Sequence, residues 1–470
     1  MLFNTIQFLI FLPVVIIFYY LLNPKYRWVL LLSASYYFYM CWKVEYVVLI
    51  LASTLIDYFA GIQMEKQKTK IKKRFFLILS LLTNLGLLFS FKYFNFFTNN
   101  GNFIFENLNI AYQLPELKVL LPVGISFYTF QTLSYSVDVY HGRQKAEKHL
   151  GYFALYVSFF PQLVAGPIER FSRLTPQLKT VHKFSKENLI NGLRLILFGL
   201  FAKMVIADNV SIYVDAIYKD PSIYSSKDIL FGVFMYSFQI YCDFFGYSTI
   251  AIGTAKILGI NLMDNFKTPY LAKNIAEFWQ RWHISLSSWF RDYVYLPLGG
   301  NRVKWQRWLI NILIVFTVSG IWHGANWTFV FWGCLFGVIY IIEKTFNKLF
   351  RINQPNNTFS IINVILTIKT FVLVSLIWIF FRSENIEQSF QIFKLIATNT
   401  EIETALNVKL SVFLFLGLFI LIDIFLYNTR FDYWCNKQHF IVRWILYFVL
   451  IFSIIAFSGV EDFQFIYFQF

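Results

Sequence analysis

The chain has 470 residues, of which 57% are apolar by the AVILMFWYC count, 21% are aromatic and only 14% are charged. Soluble domains carry about 25% charged residues and about 45–50% apolar ones, so a soluble fold would have nowhere to hide this surface. Disordered, collagen-like and coiled-coil chains are excluded by the density of Phe, Ile and Leu. The excess of Lys and Arg (41) over Asp and Glu (26) gives a formal charge of +15. In a chain of this composition it sets membrane orientation, and no basic stripe carries a nucleic-acid reading motif. The composition predicts an all-α, polytopic membrane helical bundle.

A hydrocarbon core about 30 Å thick needs about 20 mostly apolar residues as helix. Stretches that meet or approach this length run over Phe3–Leu22, Trp28–Trp42, Val44–Ile62, Phe75–Phe97 and Val119–Tyr140. Others follow at Leu189–Ala207, Ile229–Gly246, Leu309–Trp322, Asn326–Ile342, Ile361–Phe381, Ser411–Leu426 and Trp444–Phe457. The expectation is about eleven or twelve spans. Tyr152–Val164 is short and runs into Pro161 and Gly166-Pro167, as a re-entrant or interfacial segment over a solvated interior would.

The first stretch has no basic residue before it and is too long for a signal-peptide core, so it is read as a retained span. Lys25 and Arg27 follow the first span, a run from Lys66 to Arg74 follows the third, and Arg143, Lys145 and Lys148 follow the fifth. The alternate loop, Thr98–Glu116, holds no Lys or Arg. By the positive-inside rule the N-terminus faces outward and these basic loops face the cytoplasm. No internal repeat or low-complexity linker appears, and residues 1–470 are read as one membrane domain. The cysteines Cys41, Cys242, Cys334 and Cys435 are far apart and show neither disulfide nor zinc spacing.

Among the histidines, His141, His149, His182 and His439 lie beside Lys or Arg in polar loops and read as solvated or interfacial. His323, in Ser319-Gly-Ile-Trp-His-Gly-Ala-Asn-Trp327, sits at the join of two apolar spans. His283 lies in the Trp- and Arg-rich segment Glu277–Tyr293. Ionisable groups at membrane depth are costly and mark function by default. An imidazole can take a proton from a hydroxyl and return it, and burial favours its neutral, basic form. Gly320 and Gly324 would let a helix or substrate approach closely. Trp322 and Trp327 would wall the pocket, and Asn326 would add an amide dipole. The histidines are far apart in sequence and neither has a visible third ligand, so no metal is expected. Trp279, Trp282 and His283 fall on one face of an expected amphipathic helix, to which Arg291 and Asp292 add charge. The following Leu296–Arg302 turn carries no phosphate-binding fingerprint.

These blocks make the chain resemble the membrane-bound O-acyltransferase (MBOAT) family, in the branch of alginate and peptidoglycan O-acetyltransferases. The resemblance rests on Pro122–Gln131, Leu133–Tyr140, Phe160–Ile168, Glu277–Arg302, Trp322–Trp327 and the closing Phe465–Phe470. It is densest from about residue 121 to residue 332. It implies a helical bundle with a thin centre, where a donor from the cytoplasm meets an acceptor from outside. His323 then matches the family's catalytic histidine and His283 its second signature histidine. Trp322, Asn326, Arg291, Asp292 and Gln131 are the candidate substrate contacts. No bound cofactor is implied, and acetyl-CoA is the implied donor. The acceptor would be an extracytoplasmic polysaccharide, alginate-like or peptidoglycan, reached directly or through a periplasmic acetyltransferase partner. The implied location is the bacterial cytoplasmic (inner) membrane. In Gln239–Thr249 the chain departs from that branch, with Phe245 where Ser is usual and Thr249 where Asp is usual. D-alanyl transfer from a carrier protein, and a transporter with broken helices, are the rival readings.

Overall fold

A computed structural model of the chain describes residues 1–164, 166–350, 360–401, 406–458 and 465–466. The regular structure of these residues is helical, without strands. Among them, seven helical stretches are long and apolar enough to cross a membrane: Val44–Lys66, Lys70–Asn107, Lys186–Lys219, Ser226–Ile257, Trp327–Leu349, Ile361–Arg382 and Phe440–Phe457. Ile6–Leu21 and Leu410–Phe425 are apolar but shorter. The remaining expected spans correspond to the helices Arg27–Met40, Ile125–Tyr140 and Trp305–His323. Lipid accounts for the outward apolar surface: only 11% of the Phe440–Phe457 window is buried by protein.

Several boundaries differ from the sequence reading. The expected span Val119–Tyr140 begins as helix only at Ile125, because Pro122 and Gly124 (φ 76°) interrupt the chain ahead of it. The preceding chain is irregular, and two asparagines of the helix Phe94–Asn107 hold it. The Asn95 amide pairs with the Leu117 C=O and N–H at 2.9 and 2.8 Å, and Asn102 does the same for Leu114 at 3.2 and 2.6 Å. Tyr152–Val164 divides into the helix Leu150–Ser158, of 9 residues, and a single turn Phe160–Leu163. Nine residues rise only about 13.5 Å, and this segment does not span. Ala165 and Tyr467–Phe470, within two of the blocks named above, lie outside the described residues.

The chain forms two compact units, Met1–Leu193 with Ala251–Met263, and Arg194–Ile250 with Asp264–Phe470. In the first, the helices Val47–Lys66, Lys70–Leu88 and Ile125–Tyr140 enclose Asp57, which is wholly buried. Its carboxylate accepts from Asn84 Nδ2 (2.8 Å), Ser136 Oγ (3.2 Å) and Ser80 Oγ. Asn84 Oδ1 in turn accepts from Ser53 Oγ at 2.6 Å. Without water, a buried carboxylate is tolerable only when its lone pairs are met in this way. Glu169 ties Ala251–Met263 into the same unit by accepting from the Met263 N–H at 2.5 Å.

The second unit holds a tight hairpin of the helices Trp305–His323 and Trp327–Leu349. A Cβ on Gly320 would collide with the Phe329 carbonyl oxygen and lie 3.2 Å from Gly333 Cα. The two glycines thus admit the neighbouring helix. Gly320→Val should overpack this contact at a cost of about 1–3 kcal/mol, lowering the unfolding temperature of the detergent-purified chain. Gly417→Ala, at a glycine with nothing within 4 Å of the added carbon, should leave it unchanged.

Candidate active site

His323 is the last residue of its helix, after which Gly324 is extended (φ −161°) and the chain turns into the next helix. Asn326 caps that helix, with its Oδ1 accepting from Thr328 N at 3.1 Å. Its Nδ2 donates to the Glu384 carbonyl at 2.7 Å. The amide expected to supply a dipole is therefore engaged at both ends by backbone. The turn leaves His323 6% exposed. Its ring meets Trp332 edge-on at 5.2 Å and Phe381 at 5.4 Å. These rings wall the imidazole. Trp327, expected to do so, is 53% exposed, and Trp322 is half-buried.

The expected continuous helix through Trp279, Trp282 and His283 is broken. Ile275–Arg281 and Ile284–Phe290 are separate helices, and His283 between them is left-handed (φ 41°, ψ 54°). The chain around Asn265 takes the hydrogen bonds a continuous helix would have used: Lys267 N–H donates to the Arg281 carbonyl, and Ile284 N–H to the Asn265 carbonyl, each at 2.9 Å. A non-glycine residue in this region is held there by its surroundings and marks a site under constraint.

His283 is 2% exposed, and its Nδ1 lies 3.0 Å from Asn265 Oδ1. The same oxygen accepts from Ser285 Oγ at 2.8 Å and from the Ser285 backbone N–H at 3.4 Å. A backbone N–H can only donate, so this atom of Asn265 is the oxygen and His283 Nδ1 carries the hydrogen. The lone pair of the ring therefore sits on Nε2, as a proton acceptor. Burial lowers the His283 pKa well below its ordinary value, and the nearby imidazole of His323 lowers it further. A series of rings connects the histidines: His283 to Phe266 at 6.5 Å, Phe266 to Trp282 at 5.1 Å, Trp282 to Trp378 at 5.1 Å, Trp378 to Trp332 at 5.6 Å, and Trp332 to His323.

The other candidates are dispersed. Arg291 and Asp292 pair with each other at 2.9 Å on the turn after Ile284–Phe290, with the Arg291 side chain 64% exposed. Gln131 is buried in the first unit, on the helix Ile125–Tyr140. Phe245 packs against Phe198, Tyr241, Phe266 and Phe419 at 5.4–6.3 Å, so the departure from the branch pattern is filled by aromatic packing. Two residues earlier, Asp243 joins Asp208 in holding the buried Lys203 ammonium, each at 2.7 Å. Among the described residues no group of three His, Cys, Asp or Glu side chains is placed to hold a metal.

Sequence reasoning missed Asn265, Trp332, Trp378 and Phe381. Asn265 follows Asp264 in a polar stretch that reads as loop, and nothing local marks it. Trp332 and Trp378 lie within apolar spans and read as scaffold; their only signal is that an indole carries an N–H that a span must accommodate.

The described residues form a polytopic helical bundle that buries two histidines among aromatic rings, the architecture of a multi-pass membrane protein. The family model of the membrane-bound O-acyltransferase family matches residues 31–382. The chain belongs to that family and is an acyltransferase. It is 36% identical to a peptidoglycan O-acetyltransferase of Helicobacter pylori, over 84% of this chain and 79% of the relative. It is 39% identical to a probable alginate O-acetylase AlgI of Pseudomonas syringae, over 82% and 73%. A teichoic acid D-alanyltransferase of Bacillus subtilis is 29% identical over 54% of this chain and 67% of the relative.

Because the folded His283 pKa is depressed, the neutral ring's contribution to stability is complete above the ordinary value of about 6.5 and is lost as pH falls below it. Activity that needs this ring as a base should persist below pH 6.5. Asn265→Asp places a carboxylate on Nδ1, which favours the imidazolium. It should move the acid limb of the pH–rate profile up by about one unit or more. An unmoved limb, with the variant folded, would contradict the role given to the Asn265–His283 bond.

Proposed function

We propose that this chain transfers acetyl groups from a cytoplasmic donor, acetyl-CoA, to hydroxyls of an extracytoplasmic polysaccharide. The acceptor class is alginate-like exopolysaccharide or peptidoglycan, reached directly or through a periplasmic acetyltransferase partner. The protein then resides in the bacterial cytoplasmic membrane with its N-terminus outward, as the distribution of basic loops supports. Both compact units serve one catalytic domain, a reading supported by a family match that runs through both, from residue 31 to residue 382.

The observation that carries the reading is the buried histidine pair, with His283 held by Asn265 so that Nε2 is its proton-accepting atom. His323 acts as general base towards the accepting hydroxyl. His283 shuttles a proton; as a neutral ring with its lone pair on Nε2 it is poorly suited to polarise a carbonyl. The names of the relatives supply the acyl group and the acceptor class. Holding donor and acceptor in one site adds the gain of orientation.

The test measures acetyl esters on the envelope and exported polysaccharides of cells that make wild type, His323→Ala or His283→Ala at matched membrane levels. General-base loss costs about 100- to 10,000-fold, so His323→Ala should leave acetylation at background. Normal acetylation in those cells would sink the mechanism. D-alanyl transfer is favoured if D-alanyl esters appear in place of acetyl esters and the protein copurifies with an acidic carrier.

A further inference from the structure

We propose that the indole N–H of Trp332, backed by Trp378, is the donor that receives the acyl carbonyl oxygen beside His323. The inference rests on the acyl-transfer reading above and deepens it by assigning a carbonyl subsite. An indole N–H can only donate a hydrogen bond. Burying such a donor without an acceptor costs about 1–3 kcal/mol. Trp332 and Trp378 are each 1% exposed, and neither Nε1 has a hydrogen-bond partner among the described residues. The Nε1 of Trp279, whose ring meets Trp332 at 5.8 Å, also has none. Elsewhere in the same unit an indole is paired: Trp308 Nε1 donates to Tyr295 Oη at 3.1 Å.

Packing alone does not account for this cluster. Trp332 stacks on Trp378 at 22° and meets His323 edge-on at 85°. Phenylalanine would serve such contacts without desolvating a donor, as Phe381 does where it meets both His323 and Trp332. The orphaned donors match a ligand rich in acceptor oxygen, and the ring of one of them, Trp332, meets the imidazole of His323. The carbonyl oxygen of an acyl thioester or ester fits this environment, because it gains negative charge as the reaction proceeds and a water-excluded N–H then binds it most strongly.

The step balances as follows. The acceptor hydroxyl oxygen bonds to the acyl carbon while its proton passes to His323. The carbonyl π pair moves onto oxygen, where Trp332 Nε1–H receives it. The pair then returns, the bond from the acyl carbon to the leaving group breaks, and the leaving sulfur or oxygen takes the proton from His323.

The experiment uses the full chain in its membrane. Trp332 is changed to Phe, and separately to 3-benzothienylalanine, which keeps the bicyclic outline and replaces N–H by sulfur. The same analogue at Trp444, 68% exposed, is the control. The readout is the initial rate of deposition of whichever acyl ester the wild type forms, at matched membrane levels, with unfolding temperatures of the purified proteins. Loss of one oxyanion donor costs about 100- to 1,000-fold. The isostere at Trp332 should lower the rate by about 100-fold at an unchanged unfolding temperature, and the Trp444 control should match wild type. A Trp332 isostere within about threefold of wild type overturns the proposal, whether or not Trp332→Phe is impaired, since outline alone would then suffice. If His323→Ala abolishes transfer while the isostere is normal, the carbonyl subsite alone fails. If His323→Ala is normal, the acyl-transfer mechanism fails.

Discussion

Inside a bilayer a polar group has no water to fall back on, and one left unpaired costs several kcal/mol. Several polar clusters of this protein meet that constraint. Asp57 is enclosed by hydroxyl and amide donors from neighbouring helices, and Lys203 is shared between two aspartates. Lone hydroxyls turn back to their own helices, as Ser453 does to the Val449 carbonyl at 2.6 Å and Thr370 to that of Leu366 at 2.8 Å. The broken segment around His283 obeys the same rule, since the chain beside Asn265 takes up the backbone groups that the break releases.

The candidate active site leaves some of its polar groups open. Its histidines are packed by rings, and the Asn265 amide fixes the hydrogen of His283 on Nδ1. The Nε1–H groups of Trp279, Trp332 and Trp378 have no acceptor among the described residues. A dry aromatic wall keeps an imidazole neutral and strengthens any hydrogen bond made within it. The dryness that forces pairing elsewhere is what makes an acyl group's oxygen a favourable guest here. The left-handed backbone at His283 is consistent with local strain held in place by the surrounding fold.

Much of this was legible in one dimension. Apolar stretches of about 20 residues placed the helices because span length is set by bilayer thickness. His323 was marked by its position between two spans, and Gly320 by the close packing its size permits. The limits of the reading are equally physical. Helical spacing put Trp279, Trp282 and His283 on one face because the pattern cannot register competition from residues 265–267 for the same backbone bonds. Trp327 looked like a wall because it is near His323 in sequence, but the turn carries it outward and brings in Trp332 and Phe381.

By itself the sequence determined the membrane class, the helical architecture, the family and the two histidines, because these depend on composition, length and short ordered motifs. Only the tertiary structure decided which atom of His283 holds the lone pair, which rings enclose His323, and which donors are left unpaired. Each of those depends on side chains brought together from distant parts of the chain: Asn265 to His283, Trp332 and Phe381 to His323. No local pattern encodes such a meeting. It follows from how the helices pack against one another.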